Sequence, residues 1–255
     1  MTNTQVTLVQ LDNYGPWTVT PSPRREVDLQ TMQSRLYADL SQAFGMRDGY
    51  VFFTRFDNMV AVTNGLDLED HARIQESVRN RYPVTVSLSI GSGPSPADAL
   101  VDATAALQDR GSAQDADRRE ALLGQPLEEG DRTDDDVQIA HFDVVDATGT
   151  YTDELDAFSS FAHIEAGYAA LMQYMHEAHD SLSFFVGGDN IIAVCPSLSP
   201  ADYEDAIDHV AETAGVDVRV GVGTGVSAHD AGMGAKHALE DARDRQTDVE
   251  LLSEA

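Results

Sequence analysis

The sequence predicts an α+β protein that writes one fold twice, as two antiparallel sheets each packed with helices. Two observations predict it. Phe184-Phe185-Val186 and Ile191-Ile192-Ala193-Val194 flank Gly187-Gly188-Asp189-Asn190, a β-hairpin with an acid at its tip. Phe52 to Val62 repeats that pattern, agreeing at Phe-Phe, Asp-Asn and Ala-Val. Unrelated apolar strands share hydrophobicity but rarely an Asp-Asn at one position. The second observation is spacing. Asp12 to Asp143 is 131 residues, and Asp57 to Asp189, Gly91 to Gly223 and Ala99 to Ala231 are each 132.

The elements follow in order. Val6 to Leu11 is a strand ending at Asp12. Asn13 to Trp17 is a turn, and Pro21-Ser22-Pro23 is stiff and extended. From Asp28, Leu29, Met32, Leu36, Leu40 and Phe44 recur at helical spacing. The first hairpin comes next, then a helix over 70–81 that Pro83 stops. Val84 to Ile90 alternates as a half-buried strand and ends at Gly91-Ser92-Gly93. Ser95-Pro96 opens a helix through Leu107. Residues 109–136 are polar and glycine-punctuated, which places a linker over 111–136 between domains at 1–110 and 137–255. The order then recurs: strand Val137–Phe142 ending at Asp143, helix from about Glu154 to Ala178, hairpin, helix Tyr203–Thr213, strand Val216–Val222 and a last helix. Strand, helix, hairpin, helix, strand is the ferredoxin-like plan, four antiparallel strands with two helices on one face. Two such domains in one chain make an internal pseudo-dimer.

Asp and Glu number 44 against 16 Lys and Arg, for a net charge of -28 over 255 residues. With 24% charged and 42% hydrophobic residues the chain is globular. The acid is spread along its length, and Lys236 is the single lysine. Such a surface stays hydrated in concentrated salt, so a salt-adapted, cytoplasmic protein is expected. It repels nucleic acid and anionic membranes, and neither is an expected partner. One cysteine, Cys195, excludes an intramolecular disulfide framework and Cys-rich zinc sites. The N-terminus lacks signal-peptide character, and no apolar run approaches the roughly 18 residues of a membrane span. A homo-oligomer is expected.

In each copy one Asp ends the first strand and another tips the hairpin. In a ferredoxin-like sheet those strands are central neighbours, so the carboxylates converge at one edge. Hard oxygen ligands that close suit Mg²⁺, which keeps waters and recruits phosphate oxygens. Asp12, Asp57, Asp143 and Asp189 are therefore the candidate metal ligands. The glycine context favours Asp143 and Asp189, the nearby arginines favour Asp12 and Asp57, and one composite site is a third arrangement. As a bland alternative, all four are turn residues. Gly187 and Gly188 clear side chains away so that backbone N–H groups can approach an anion.

A strand-end Asp with a Gly-Gly-Asp hairpin resembles the palm-like domains of class III nucleotide cyclases and GGDEF diguanylate cyclases, although Asn190 stands where GGDEF has its acid. A longer match covers nearly the whole chain. Gln10–Pro21, Pro23-Arg24-Arg25-Glu26, Gln33–Tyr37, Thr54–Asn58, Arg73–Ser77, Gly111–Asp115 and the second hairpin resemble archaeal GTP cyclohydrolase III. The resemblance implies a Mg²⁺-dependent enzyme that adds water at C8 of GTP, opens the imidazole ring and keeps the formyl group. It also implies phosphate-chain cleavage to a monophosphate. The product, a formylaminopyrimidine ribotide, feeds riboflavin and deazaflavin synthesis.

For such a substrate, Arg24, Arg25 and Arg35 are candidate phosphate ligands, and Lys236 joins them from the last helix. Tyr14 and Trp17 either stack on guanine or pack the turn formed with Asn13 and Gly15. Asn58 and Asn190 either read a purine edge or shape their hairpins. Asp12 and Asp57 are catalytic candidates. His141, two residues before Asp143, either helps activate water or is a satisfied core histidine. A nucleotidyl cyclase and a nucleotide-sensing module without turnover are the alternatives.

Overall fold

The computed structural model describes residues 3–115, 118–133 and 137–252. The chain divides into two compact units, one of Asn3–Pro94 with Asp98–Arg132, the other built mainly from Thr133 onward. Both fold on the same plan.

The first unit runs β1 (Thr4–Leu11), α1 (Tyr14–Val19), α2 (Glu26–Gly45), β2 (Tyr50–Phe53), β3 (Asn58–Val62), α3 (Leu68–Arg81), β4 (Val86–Gly93), α4 (Pro96–Asp109) and β5 (Leu122–Leu123). Sheet order is β2-β3-β1-β4-β5. The apolar stripe of α2, Met32, Leu36, Leu40 and Phe44, is buried with Ile74 and Val78 of α3 against Val9 and Leu11. Asp67 caps α3 through the Asp70 N–H, and Asp70 returns a bond to the Asp67 N–H. Because side chains alternate along a strand, Leu8 points to the opposite face, where it meets Ala103 and Leu107 of α4.

The second unit runs β6 (Val137–Val144), a short turn of π-helix (Thr148–Thr152), α5 (Ala157–His179), β7 (Leu182–Gly187), β8 (Asn190–Cys195), α6 (Pro200–Ala214), β9 (Val218–Gly225), α7 (Ala228–Arg245) and β10 (Val249–Leu252). Its sheet order is β10-β9-β6-β8-β7. Ala140, Phe142 and Val144 pack with Leu171, Met175, Tyr203 and Val210 on one face. On the other face α7 lies so close to β9 that a Cβ on Gly221 meets the backbone of Leu239 and Ala235. Gly91 stands in the same relation to Ala99 and Ala103. The evenly spaced glycines thus mark where the last helix of each unit seats on its sheet.

Three features go beyond the sequence reading. Each sheet has a fifth, edge strand, β5 or β10, running parallel to its neighbour. Residues 14–19 are a short helix rather than a plain turn. The segment read as a linker is largely part of the first unit. The Leu88 N–H bonds the Ala121 carbonyl, the Gln75 amide donates to the same oxygen, and the unit continues through Arg132. Asp134, Asp135 and Asp136 lie outside the described residues. Among the described residues no helix is long and apolar enough to cross a membrane.

Gly221→Ala drives a methyl group into helix backbone and is expected to cost about 1–3 kcal/mol. Gly45→Ala, where nothing lies within 4 Å, is expected to stay within about 0.5 kcal/mol of the parent. Denaturation midpoints check both. Equal midpoints would remove the close seating of α7 as a constraint.

Candidate functional site

The second hairpin turns at Gly187 (φ +110°) and Gly188 (φ +65°), both in the region where a side chain is disfavoured. The first hairpin has one residue in that region at its tip, Phe56 at φ +61°. Its ring is held by a stack on Phe53, centroids 4.6 Å apart, and by the edge of Tyr37.

Pairing of β6 with both neighbours sets Asp143 opposite Asn190 on β8 and Arg219 on β9. The Val144 N–H donates to the Asp189 carbonyl at 3.3 Å, which brings the hairpin tip to the strand end. Asp143 is buried. Arg243 of α7 reaches Oδ1 through Nη2 at 2.7 Å and Oδ2 through Nε at 3.3 Å. Arg219 Nε lies 4.0 Å from Oδ2. The Asn190 amide donates to Asp189 Oδ1 at 2.9 Å, and its own oxygen faces His141 Nε2 at 2.9 Å, which places the ring proton on that nitrogen. Burial raises the Asp189 carboxyl, and the charge of Asp143 raises it further against Arg243 and His141. Burial holds His141 below the ordinary histidine value, with Asn190 and Asp143 opposing and Arg243 and Lys236 adding to the shift. His141, Asp143, Asp189, Asn190, Arg219, Arg243 and Lys236 therefore share one electrostatic neighbourhood.

The first unit arranges its acids differently. The position that Asp143 holds belongs there to Gln10, which pairs with Asn58 and Ser87. Asp12 comes two residues later. Its N–H bonds the Thr85 carbonyl as the Val145 N–H bonds that of Asp217, so Val145, not Asp143, is its counterpart. The near-constant spacing thus conceals a two-residue offset between the strand-end acids. Asp12 is buried, accepts from Ser87 Oγ at 2.7 Å and Thr85 Oγ1 at 2.9 Å, and faces Arg118 Nε at 3.6 Å. Asp57 does sit at the hairpin tip, paired with Arg55 at 2.8 Å and accepting from the Asn58 amide at 3.3 Å. Asn58 Oδ1 accepts from the Gln10 amide at 3.1 Å. A cavity of about 430 Å³ opens on this face, lined by Leu8, Gln10, Asn58, Leu100 and Leu107 among others.

Apart from Arg35, the remaining predicted residues of the first unit lie in or next to α1. Asn13 is left-handed (φ +55°), its N–H bonds the Ala113 carbonyl at 2.7 Å, and its Oδ1 is buried without a hydrogen-bond partner among the described residues. The Gly15 N–H donates to Gln114 Oε1 at 2.8 Å. Tyr14 stacks on Trp17 at 6.0 Å, and its hydroxyl accepts from Gln33. Arg24 lies over the Trp17 ring at 4.0 Å and donates to the Trp17 carbonyl. Arg25 is exposed and paired with Asp28. Arg35 stands elsewhere, in a groove with Asp39, Arg81 and Tyr82.

A sequence profile of the GTP cyclohydrolase III family matches residues 6–254. The chain belongs to the GTP cyclohydrolase III family. It is 82% identical over 250 residues to GTP cyclohydrolase III 1 of Halobacterium salinarum, covering 98% of each chain. It is 71% identical to the Natronomonas pharaonis GTP cyclohydrolase III, over 98% of this chain and 99% of that one. Against the Methanocaldococcus jannaschii GTP cyclohydrolase III it is 46% identical, over 98% and 91% respectively. Like these relatives it is an enzyme. Among solved structures, the FimX GGDEF domain from Pseudomonas aeruginosa aligns with a TM-score of 0.39 and 14% identity, over 48% of this chain and 81% of that one.

The sequence reading missed three arginines that stand beside the acids: Arg118, Arg219 and Arg243. A signal existed for two. Arg219 interrupts the apolar run Val218 to Val222, and Arg243 lies seven residues after Lys236, on the same helical face.

Because the folded chain holds the Asp189 proton more tightly, the stability that this group contributes is complete below its ordinary 3.8 and is lost as pH rises through the folded value. At neutral pH the ionised group opposes folding. Asp189→Asn should therefore melt at or above the parent temperature, and a lower midpoint would refute the upward shift that burial and the Asp143 charge give this carboxyl. Arg118→Met should instead cost about 3–5 kcal/mol, since it strands Asp12 in the interior.

Proposed function

We propose that this enzyme opens the imidazole ring of GTP at C8 with water. The product is 2-amino-5-formylamino-6-(5-phosphoribosylamino)pyrimidin-4(3H)-one. Two inorganic phosphates leave, three waters being consumed in all. The observation that carries the site assignment is the convergence of Asp143 and Asp189 in the second unit. The Val144 N–H bonds the Asp189 carbonyl, so the hairpin tip lies beside the strand end that carries Asp143, and neighbouring acids suit a dication. Their hard oxygen donors fit Mg²⁺. Among the described residues no group of three or more His, Cys, Asp or Glu is placed to hold a metal ion. An ion here therefore takes its other ligands from water and phosphate, as Mg²⁺ does.

When bound, Mg²⁺ supplies charge neutralisation for the phosphate chain and lowers the pKa of coordinated water. The chain's own groups do the rest. Arg219 and Arg243 provide the local positive charge that a polyanionic substrate needs on a -28 protein. Gly187 and Gly188 leave the tip open to phosphate oxygens. His141, neutral and donating to Asn190, orients that amide beside Asp189. The first unit carries Gln10 where the second has Asp143, so its hairpin offers a single carboxylate, Asp57. The cation is accordingly assigned to the second unit.

Incubation with GTP and Mg²⁺ tests this. Loss of the purine ultraviolet band with two orthophosphates per GTP is expected, and chelation of the metal should stop it. Asp143→Asn and Asp189→Asn should each lower kcat by roughly 10²–10³-fold, and Asp57→Asn by less. Pyrophosphate release with an intact purine would identify a cyclase. Unchanged turnover in both second-unit variants would overturn the assignment.

A further inference from the structure

We propose that the two hairpin asparagines, Asn58 and Asn190, are positioning residues. Each relays a hydrogen bond from the central strand to Oδ1 of the aspartate before it, and so fixes how that carboxylate is presented at the tip. The consequence for turnover rests on the reading that Asp189 takes part in the reaction; the relay itself requires no bound ion.

Polarity settles the orientation of every amide in the relay. An ionised carboxylate only accepts, so the amide nitrogen of the neighbouring asparagine must face it. Asn190 Nδ2 accordingly donates to Asp189 Oδ1 at 2.9 Å, and Asn58 Nδ2 to Asp57 Oδ1 at 3.3 Å. Each asparagine oxygen then takes a donor from the central strand. In the first unit this is the Gln10 amide, 3.1 Å away. Gln10 cannot flip, because its own oxygen accepts from Arg118 Nη2 at 3.3 Å, and a guanidinium only donates. A directed chain therefore runs from buried Arg118 through Gln10 and Asn58 to Asp57. In the second unit the donor is His141 Nε2, 2.9 Å from Asn190 Oδ1.

The two donors sit on different rungs of the ladder. Gln10 stands directly opposite Asn58. The slot opposite Asn190 holds Asp143, which when ionised has no proton to give, and His141 supplies one from two residues back on the same face. Closing a hairpin needs no such donor, since backbone pairing of its strands does that. What both arrangements achieve is a committed Oδ1. The other oxygen separates the units. Arg55 holds Oδ2 of Asp57 at 2.8 Å. Gly187, at the matching place in the second hairpin, has no side chain to offer. Asp189 thus presents Oδ2 in an orientation set by the relay, with no arginine of its own hairpin upon it.

Nitrogen-15 NMR of the full-length protein reads the relay directly. The His141 ring is expected to carry its proton on Nε2. His141→Leu should speed exchange of the Asn190 side-chain amide on the order of tenfold, the equivalent of one hydrogen bond. Gln10→Glu, which keeps the shape and removes the donor, should do the same at Asn58. Turnover of GTP reads the consequence. His141→Leu should lower kcat on the order of tenfold with KM changed less than about twofold. His141→Gln, whose amide nitrogen reaches the place of Nε2, should recover most of that loss. A bare Nε2, or amide exchange at Asn190 indifferent to His141→Leu, overturns the relay. Parental kcat in His141→Leu, or a glutamine variant no faster than leucine, overturns the positioning role. Asp189→Asn is read separately: parental turnover there refutes the part given to Asp189, whatever the NMR shows.

Discussion

Antiparallel pairing on both sides of a central strand decides what stands at the working edge of each unit. Once β6 is registered between β8 and β9, one position on it faces the hairpin asparagine on one side and a fixed residue of the far strand on the other. Side-chain alternation then allots the apolar members to the helix-packed core and leaves the polar ones on the opposite face. A slip of one residue would bury Asp143 among Phe142's neighbours. The core thus specifies the geometry of the charged cluster without touching it.

The same constraint operates in the first unit with a different residue in the slot. Gln10 is neutral; its amide donates to Asn58, its oxygen accepts from Arg118 at 3.3 Å, and the face beside it opens into a cavity. Asp12, displaced two residues along, falls where Ser87, Thr85 and Arg118 enclose it. Two units share one backbone plan; which of them carries acids at neighbouring positions depends on a handful of side chains.

Much of this was legible beforehand. The hairpins, the two-fold repeat and the helical stripe of α2 follow from period and turn chemistry, which are local. What escaped was set at long range. The polar stretch around Arg118 looks like a linker because its partners, Asp12 and the Gly111 carbonyl, are hydrogen-bonding rather than apolar. Edge strand β10 is too short to show alternation. The offset between Asp12 and Asp143 was invisible because sequence spacing counts residues and not rungs of the ladder, and a one-residue difference between 131 and 132 hid it. Arg243 was passed over because a helix-borne arginine reads as solvated until the strand beneath it is known.

The two hairpin tips hold their positive-φ residues at different kinds of cost. Phe56 bears a steric penalty that its ring stack offsets, and steric energy is nearly indifferent to heat. Gly187 and Gly188 bear none, but they surrender more backbone freedom on folding than Arg55 and Phe56 do. That entropic term grows in proportion to absolute temperature. Warming therefore weighs on the glycine tip through entropy and leaves the steric penalty at Phe56 nearly unchanged.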